Sequence, residues 1–139
     1  MSPDHSGIKT QLGMKDPVRR KEVAATPEER VRQAVISMLM DHLGVPASLM
    51  AVEKGIRVQD MLRRPDIVVH DRKGQPWMVV ECKAPGVRLS QDTFDQAAGY
   101  NRRLGAPYLF VTNGSDHRCA HIEPGTIQFL ESLPSFPAD

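Results

Sequence analysis

Cysteine is scarce in this chain. Cys82 and Cys119 are the two in 139 residues, too few for a disulfide framework. With no apolar leader in "MSPDHSGIKTQLGMKDP", they suggest a reduced, cytoplasmic protein. Long apolar runs are missing too, and nothing approaches the roughly 18–20 residues of a membrane-spanning helix. Charge of one sign is not in excess. Lys plus Arg is 18 and Asp plus Glu is 17, for a net charge of +1. That excludes a wholly basic nucleic-acid coat while leaving room for local basic patches. There is no G-x-x-x-x-G-K-[ST] phosphate loop, hence no ATP-driven motor, and no internal repeat or low-complexity block. What remains is ordinary: 40% hydrophobic and 25% charged residues, as in a single soluble domain with a real core.

Residues 1–24 carry Pro, Gly, Ser and mixed charge without a sustained period, so they read as a partly irregular arm. A domain is expected over 25–134, with 135–139 as a tail. "TPEERVRQAVISMLMDHLG" is a helix by pattern. Thr26 suits the N-cap, Pro27 the first helical position, and Glu28 and Glu29 the first turn. Val31, Val35, Met38 and Leu39 repeat at helical spacing, and Gly44 is a stop. A strand or bent strand pair is expected near 49–58, with a turn at Lys54-Gly55. "RRPDIVVHDRKGQPWMVVECK" reads as a hairpin: strand 66–70, a turn in "DRKGQP", strand 77–83. The apolar runs IVV and WMVV suggest strands covered on both faces. Ser90 opens a second helix over 91–104. Strands follow at 108–114 and 118–123, then a weak helical piece over 126–132. The order α, β, β, β, α, β, β makes the class α/β with a mixed sheet flanked by helices.

Chemistry gathers at one end of the hairpin. Residues i and i+2 of a strand share a face, so Glu81 and Lys83 point one way and Cys82 the other. Pairing around a turn near residue 74 brings Asp66 to positions 81–83. Two adjacent carboxylates repel, and one of them is driven to hold a proton. A hard cation such as Mg²⁺, with Mn²⁺ as substitute, resolves that conflict and can activate water beside a phosphate. Lys83 then serves as a point charge at the reacting centre. The plain alternative is a solvated Glu–Lys pair worth at most about 1 kcal/mol.

"RPDIVVHDRKGQPWMVVECKAP" resembles the PD-(D/E)XK nuclease superfamily, whose restriction-endonuclease-like core is αβββαβ. "TPEERVRQ", "AVEKGIRV", "RPDIVV", "ECKAP", "QAAGYN" and "TNG" more closely resemble, in order, the N-terminal domain of type I restriction enzyme R subunits. That resemblance spans about residues 15–134. It implies Asp66 and Glu81 as catalytic metal ligands, the Cys82 backbone carbonyl as a third oxygen, and Lys83 as the catalytic lysine. It also implies that Glu29 adds a carboxylate to the metal site; a capping box with Thr26 is the competing reading. Gln96 and Tyr100 match a Q-x-x-x-Y motif, four apart on one helix face, and would hold the DNA backbone or order the site. The implied function is a Mg²⁺-dependent deoxyribonuclease, an endonuclease rather than an exonuclease. Without the motor, it would be free-standing or work with separate restriction subunits, or as a homodimer. The alternative is a non-catalytic DNA-binding or assembly module that keeps the fold.

Of the basic clusters 19–21, 63–64, 72–73 and 102–103, Arg64 is the best placed to hold a phosphate, beside Pro65-Asp66. His117 and His121, four apart on a strand, stand about 13 Å from each other, too far for one zinc. Asn113 suits a turn with positive φ, beside Gly114.

Overall fold

The computed structural model describes residues 13–52, 56–58, 61–63 and 65–138; Arg64 and the side chain of Tyr100 lie outside the described residues. Strands β1 (Met14–Asp16) and β2 (Lys21–Val23) form a small antiparallel hairpin. Helix α1 is Pro27–Asp41, capped by Thr26, whose Oγ1 accepts the Glu29 amide at 3.2 Å. A 3₁₀ turn at Ala47–Leu49 leads into β3 (Met50–Val52). A second antiparallel pair, β4 (Ile56–Val58) and β5 (Met61–Arg63), forms a two-stranded sheet separate from the main one. Then come β6 (Ile67–His70), β7 (Pro76–Cys82), α2 (Gln91–Leu104), β8 (Tyr108–Thr112), β9 (His117–Glu123) and β10 (Thr126–Leu130).

The main sheet has the order β10-β9-β8-β7-β6-β3. Strands β7 and β8 are parallel, joined by the α2 crossover; every other neighbouring pair is antiparallel. The apolar runs are explained by burial on both faces. Met78, Val80 and Cys82 of β7 join the α1 residues Val31, Val35, Ile36 and Leu39 on one side. Val79 joins Phe94, Ala97 and Ala98 of α2 on the other. Helix α2 starts where Ser90 accepts the Thr93 amide at 3.2 Å and ends at Gly105, φ 70°.

Four expectations change. The arm contains the β1–β2 hairpin because Asp16 accepts the amides of Val18 at 2.8 Å and Arg19 at 2.7 Å, closing the turn after Asp-Pro. Residues 61–63 are a strand paired antiparallel with 56–58, while the expected turn at Lys54-Gly55 lies outside the described residues. Residues 126–130 form strand β10, not a helical piece: Pro124-Gly125 makes a two-residue loop that pairs Glu123 with Thr126, and Thr, Ile and Phe favour the strand. Asn113 does not carry positive φ; Gly114 does, at 98°. In the expected tail, Phe136 lies edge-on to Trp77, with ring centroids 5.2 Å apart.

Candidate active site

Ile67 stands opposite Val80 in the β6–β7 ladder, so the next rung sets Asp66 against Glu81. The Cys82 amide donates to Asp66 Oδ2 at 2.7 Å, which fixes this carboxylate at the end of the sheet. Both acids are buried, Asp66 at 6% and Glu81 at 9% exposure. Among the described residues Glu81 Oε1 has no hydrogen-bond partner, and Oε2 lies 3.8 Å from Lys83 Nζ. Burial and the neighbouring Asp66 carboxyl push the Glu81 carboxyl up to about 9, against a weaker downward pull from Lys83. The Lys83 amide donates to the Thr112 carbonyl at 2.8 Å, anchoring the strand end to β8. The Cys82 thiol sits in the core, and burial pushes it far above the ordinary thiol range. It is packing, not a nucleophile.

The other Asp66 oxygen is engaged by a residue the sequence reading missed. Arg32 Nη2 reaches Asp66 Oδ1 at 2.5 Å, while Arg32 Nη1 donates to Glu29 Oε1 at 2.7 Å. Glu29 Oε2 accepts from Arg19 at 2.9 Å and from Gln33 at 3.0 Å. Arg19 and Gln33 both donate to Asp16 Oδ2, at 2.8 and 2.9 Å. Asp16 feels burial, which raises its carboxyl, but the Arg19 and Val18 amides and the Arg19 and Gln33 side chains together hold it below its ordinary value. The Glu29 amide completes the Thr26 cap, while its carboxylate lies in an ion-pair chain with Arg32 between it and Asp66. Arg19, of the basic cluster 19–21, is a part-buried member of that chain. The available signal was spacing: Arg32 follows Glu29 by three residues on one helix face.

Gln96 is exposed on α2. His117 Nδ1 lies 2.7 Å from Thr112 Oγ1, and the His121 ring sits beside Tyr108 with centroids 5.1 Å apart. Asn113 is buried and organises the turn beyond β8. Its Oδ1 accepts the amides of Ser115 at 3.0 Å and Asp116 at 2.7 Å, and its Nδ2 donates to the Val87 carbonyl at 2.7 Å. The loop after Lys83 is thereby tied to the β8–β9 turn. Among the described residues, no group of three or more His, Cys, Asp or Glu side chains converges on one point. The site is an acid pair, with a lysine on one side and an arginine on the other.

A mixed sheet covered by one helix on each face, with this strand order, is a restriction-endonuclease-like fold. The family model described as type I restriction enzyme R protein N terminus (HSDR_N) matches residues 27–134, and the chain belongs to that family. Among solved structures it is similar to a fragment described as an HsdR subunit of a type I restriction enzyme from Vibrio vulnificus YJ016. The TM-score is 0.61 and the identity 21%, over 79% of this chain and 24% of that one. At this identity the likeness is one of fold, and the chain spans about a quarter of that structure's length. No curated protein sequence matches the chain. The β1–β2 hairpin, with Asp16 and Arg19, precedes the family-matched segment. No helix among the described residues is long and apolar enough to cross a membrane.

Proposed function

We propose that this domain is a Mg²⁺-dependent DNA endonuclease that also accepts Mn²⁺. The observation that carries this reading is the buried Glu81 carboxyl facing Asp66, with one oxygen lacking a donor among the described residues. Such an acid pair fits a hard divalent cation, which takes carboxylate oxygens and keeps water and phosphate oxygens as its remaining ligands. Asp66 and Glu81 would hold it, with the Cys82 carbonyl as the third protein oxygen. In support, a strand residue turns its N–H and C=O toward the same neighbour, and the Cys82 N–H already points at Asp66. When bound, the ion supplies a water of lowered pKa and polarises the phosphorus centre. Lys83, its side chain 29% exposed at the rim, offsets negative charge developing on the phosphate. Gln96 with Tyr100, and Arg64 beside Pro65, would hold the DNA backbone. The partners are DNA and either a second copy or separate restriction subunits, in the cytoplasm.

The test is cleavage of supercoiled plasmid and single-stranded DNA in Mg²⁺ or Mn²⁺. The wild type nicks or degrades DNA, and Lys83→Ala slows this on the order of 10²–10³-fold while still binding Mn²⁺. Equal background from both proteins contradicts the reading.

A second reading has its own observation: Arg32 already neutralises Asp66 at 2.5 Å. A closed acid pair suits a non-catalytic DNA-binding or assembly module. It predicts salt-dependent DNA binding without metal and no heat on adding Mn²⁺.

A further inference from the structure

Charges alternate along the buried chain that starts at the N-terminal hairpin: Asp16, Arg19, Glu29, Arg32, Asp66. Arg32 Nη1 is held by Glu29 at 2.7 Å. Arg32 Nη2 reaches Asp66 Oδ1 at 2.5 Å, and the same nitrogen stands 3.7 Å from Glu28 Oε2. The Glu28 side chain is half-exposed at 48%, whereas that of Asp66 is buried at 8%. One guanidinium nitrogen therefore has two anionic acceptors, one inside the acid pair and one on the solvent side. Glu29 can anchor the other nitrogen in either case. Arg19 and Gln33 occupy the remaining Glu29 oxygen, which keeps Glu29 an anchor for Arg32 instead of a ligand.

We propose that Arg32 is a latch on the acid pair. It holds Asp66 Oδ1 while the site is empty, and its Nη2 passes to Glu28 when a divalent cation takes that oxygen. This rests on the reading that Asp66 and Glu81 bind a cation. The physical reason is competition. A guanidinium and a divalent ion on one carboxylate oxygen repel strongly in a buried site, where charges are poorly screened. The exchange leaves no buried charge uncompensated, because Glu29 holds Arg32 throughout and Glu28 is already within reach. Both arrangements are thus available, and the cation selects one by binding it better. Arg32 is a positioning residue: it sets how readily Asp66 is given up and takes no part in bond breaking.

The test is a Mn²⁺ titration at pH 8, by calorimetry, of the wild type, Arg32→Gln, Glu28→Gln and the double variant. Removing the competitor tightens Mn²⁺ binding on the order of tenfold, the scale on which groups just outside a metal site act. Glu28→Gln removes the alternative acceptor and weakens binding several-fold, but only while Arg32 is present. In the Arg32→Gln background the same change has little effect. Equal or weaker binding by Arg32→Gln overturns the latch. So does a Glu28→Gln effect of the same size in both backgrounds, since that is the mere loss of a nearby negative charge. The wild type supplies a readout that needs no variant to fold: the side-chain NMR signal of Arg32 moves on saturation with Mg²⁺, and an unmoved signal overturns the proposal. A wild type that binds no Mn²⁺ removes the site and the latch together. A wild type that binds, with Arg32→Gln binding no tighter, removes the latch alone.

Discussion

Glu81 holds its proton up to about 9, instead of the ordinary 4.5, because it is buried against the Asp66 carboxyl. Below 4.5 the carboxyl is protonated whether the chain is folded or not, and stability is unaffected. Above that value the unfolded chain releases the proton and the folded one keeps it, so stability falls as pH rises toward about 9. We expect the metal-free protein to melt at progressively lower temperature across that window, and Glu81→Gln to flatten the slope, as read by calorimetry. A slope that is the same in both proteins contradicts the assignment. Asp66, Glu81 and Lys83 could be placed from sequence because strand period and hairpin pairing are local rules. Arg32 could not. Its partner on another element, thirty-four residues away, is set by how α1 docks on the sheet, and no short-range pattern encodes that docking.

Element by element, the readable segments were those whose signals agree. Helix α2 has the bounds its Ser90 cap and Gly105 stop imply, Gln91–Leu104. β6 and β7 are apolar runs flanking a turn. Residues 126–130 are a strand because Pro124-Gly125, lying between two strand-forming runs, makes a hairpin turn. Gly114 carries the positive φ, and Asn113 uses its side chain to bind three backbone groups across two loops. Asn113→Ala strands the Val87 carbonyl and the Ser115 and Asp116 amides. It is expected to cost about 1–3 kcal/mol in urea unfolding and to speed hydrogen exchange in residues 85–89. Unchanged stability and exchange would show that water replaces the amide without loss.

For the molecule as a whole, the layers were legible and the N-terminal cover was not. Continuous apolar strands imply a sheet buried on both faces, and the two core clusters on either side of β7 are that sheet's contents. Residues 13–23 carry no periodic signal, yet they bring Asp16 and Arg19 into the interior beside α1. The hairpin is therefore part of the domain's electrostatic interior. Arg19→Ala removes the cation between two buried acids, Asp16 and Glu29. Breaking a buried pair from one side costs about 3–5 kcal/mol, which urea unfolding would report; a loss under about 1 kcal/mol would place the pair in the class of solvated surface contacts.

Every role proposed for the site depends on Asp66 and Glu81 together holding a divalent cation. Crystals grown or soaked in Mn²⁺ and measured at the manganese absorption edge test it most directly. We expect one anomalous peak between the Asp66 and Glu81 carboxylates, near the Cys82 carbonyl, with Arg32 Nη2 moved off Asp66. Full Mn²⁺ saturation with no peak there, and Arg32 still seated on Asp66, would contradict it.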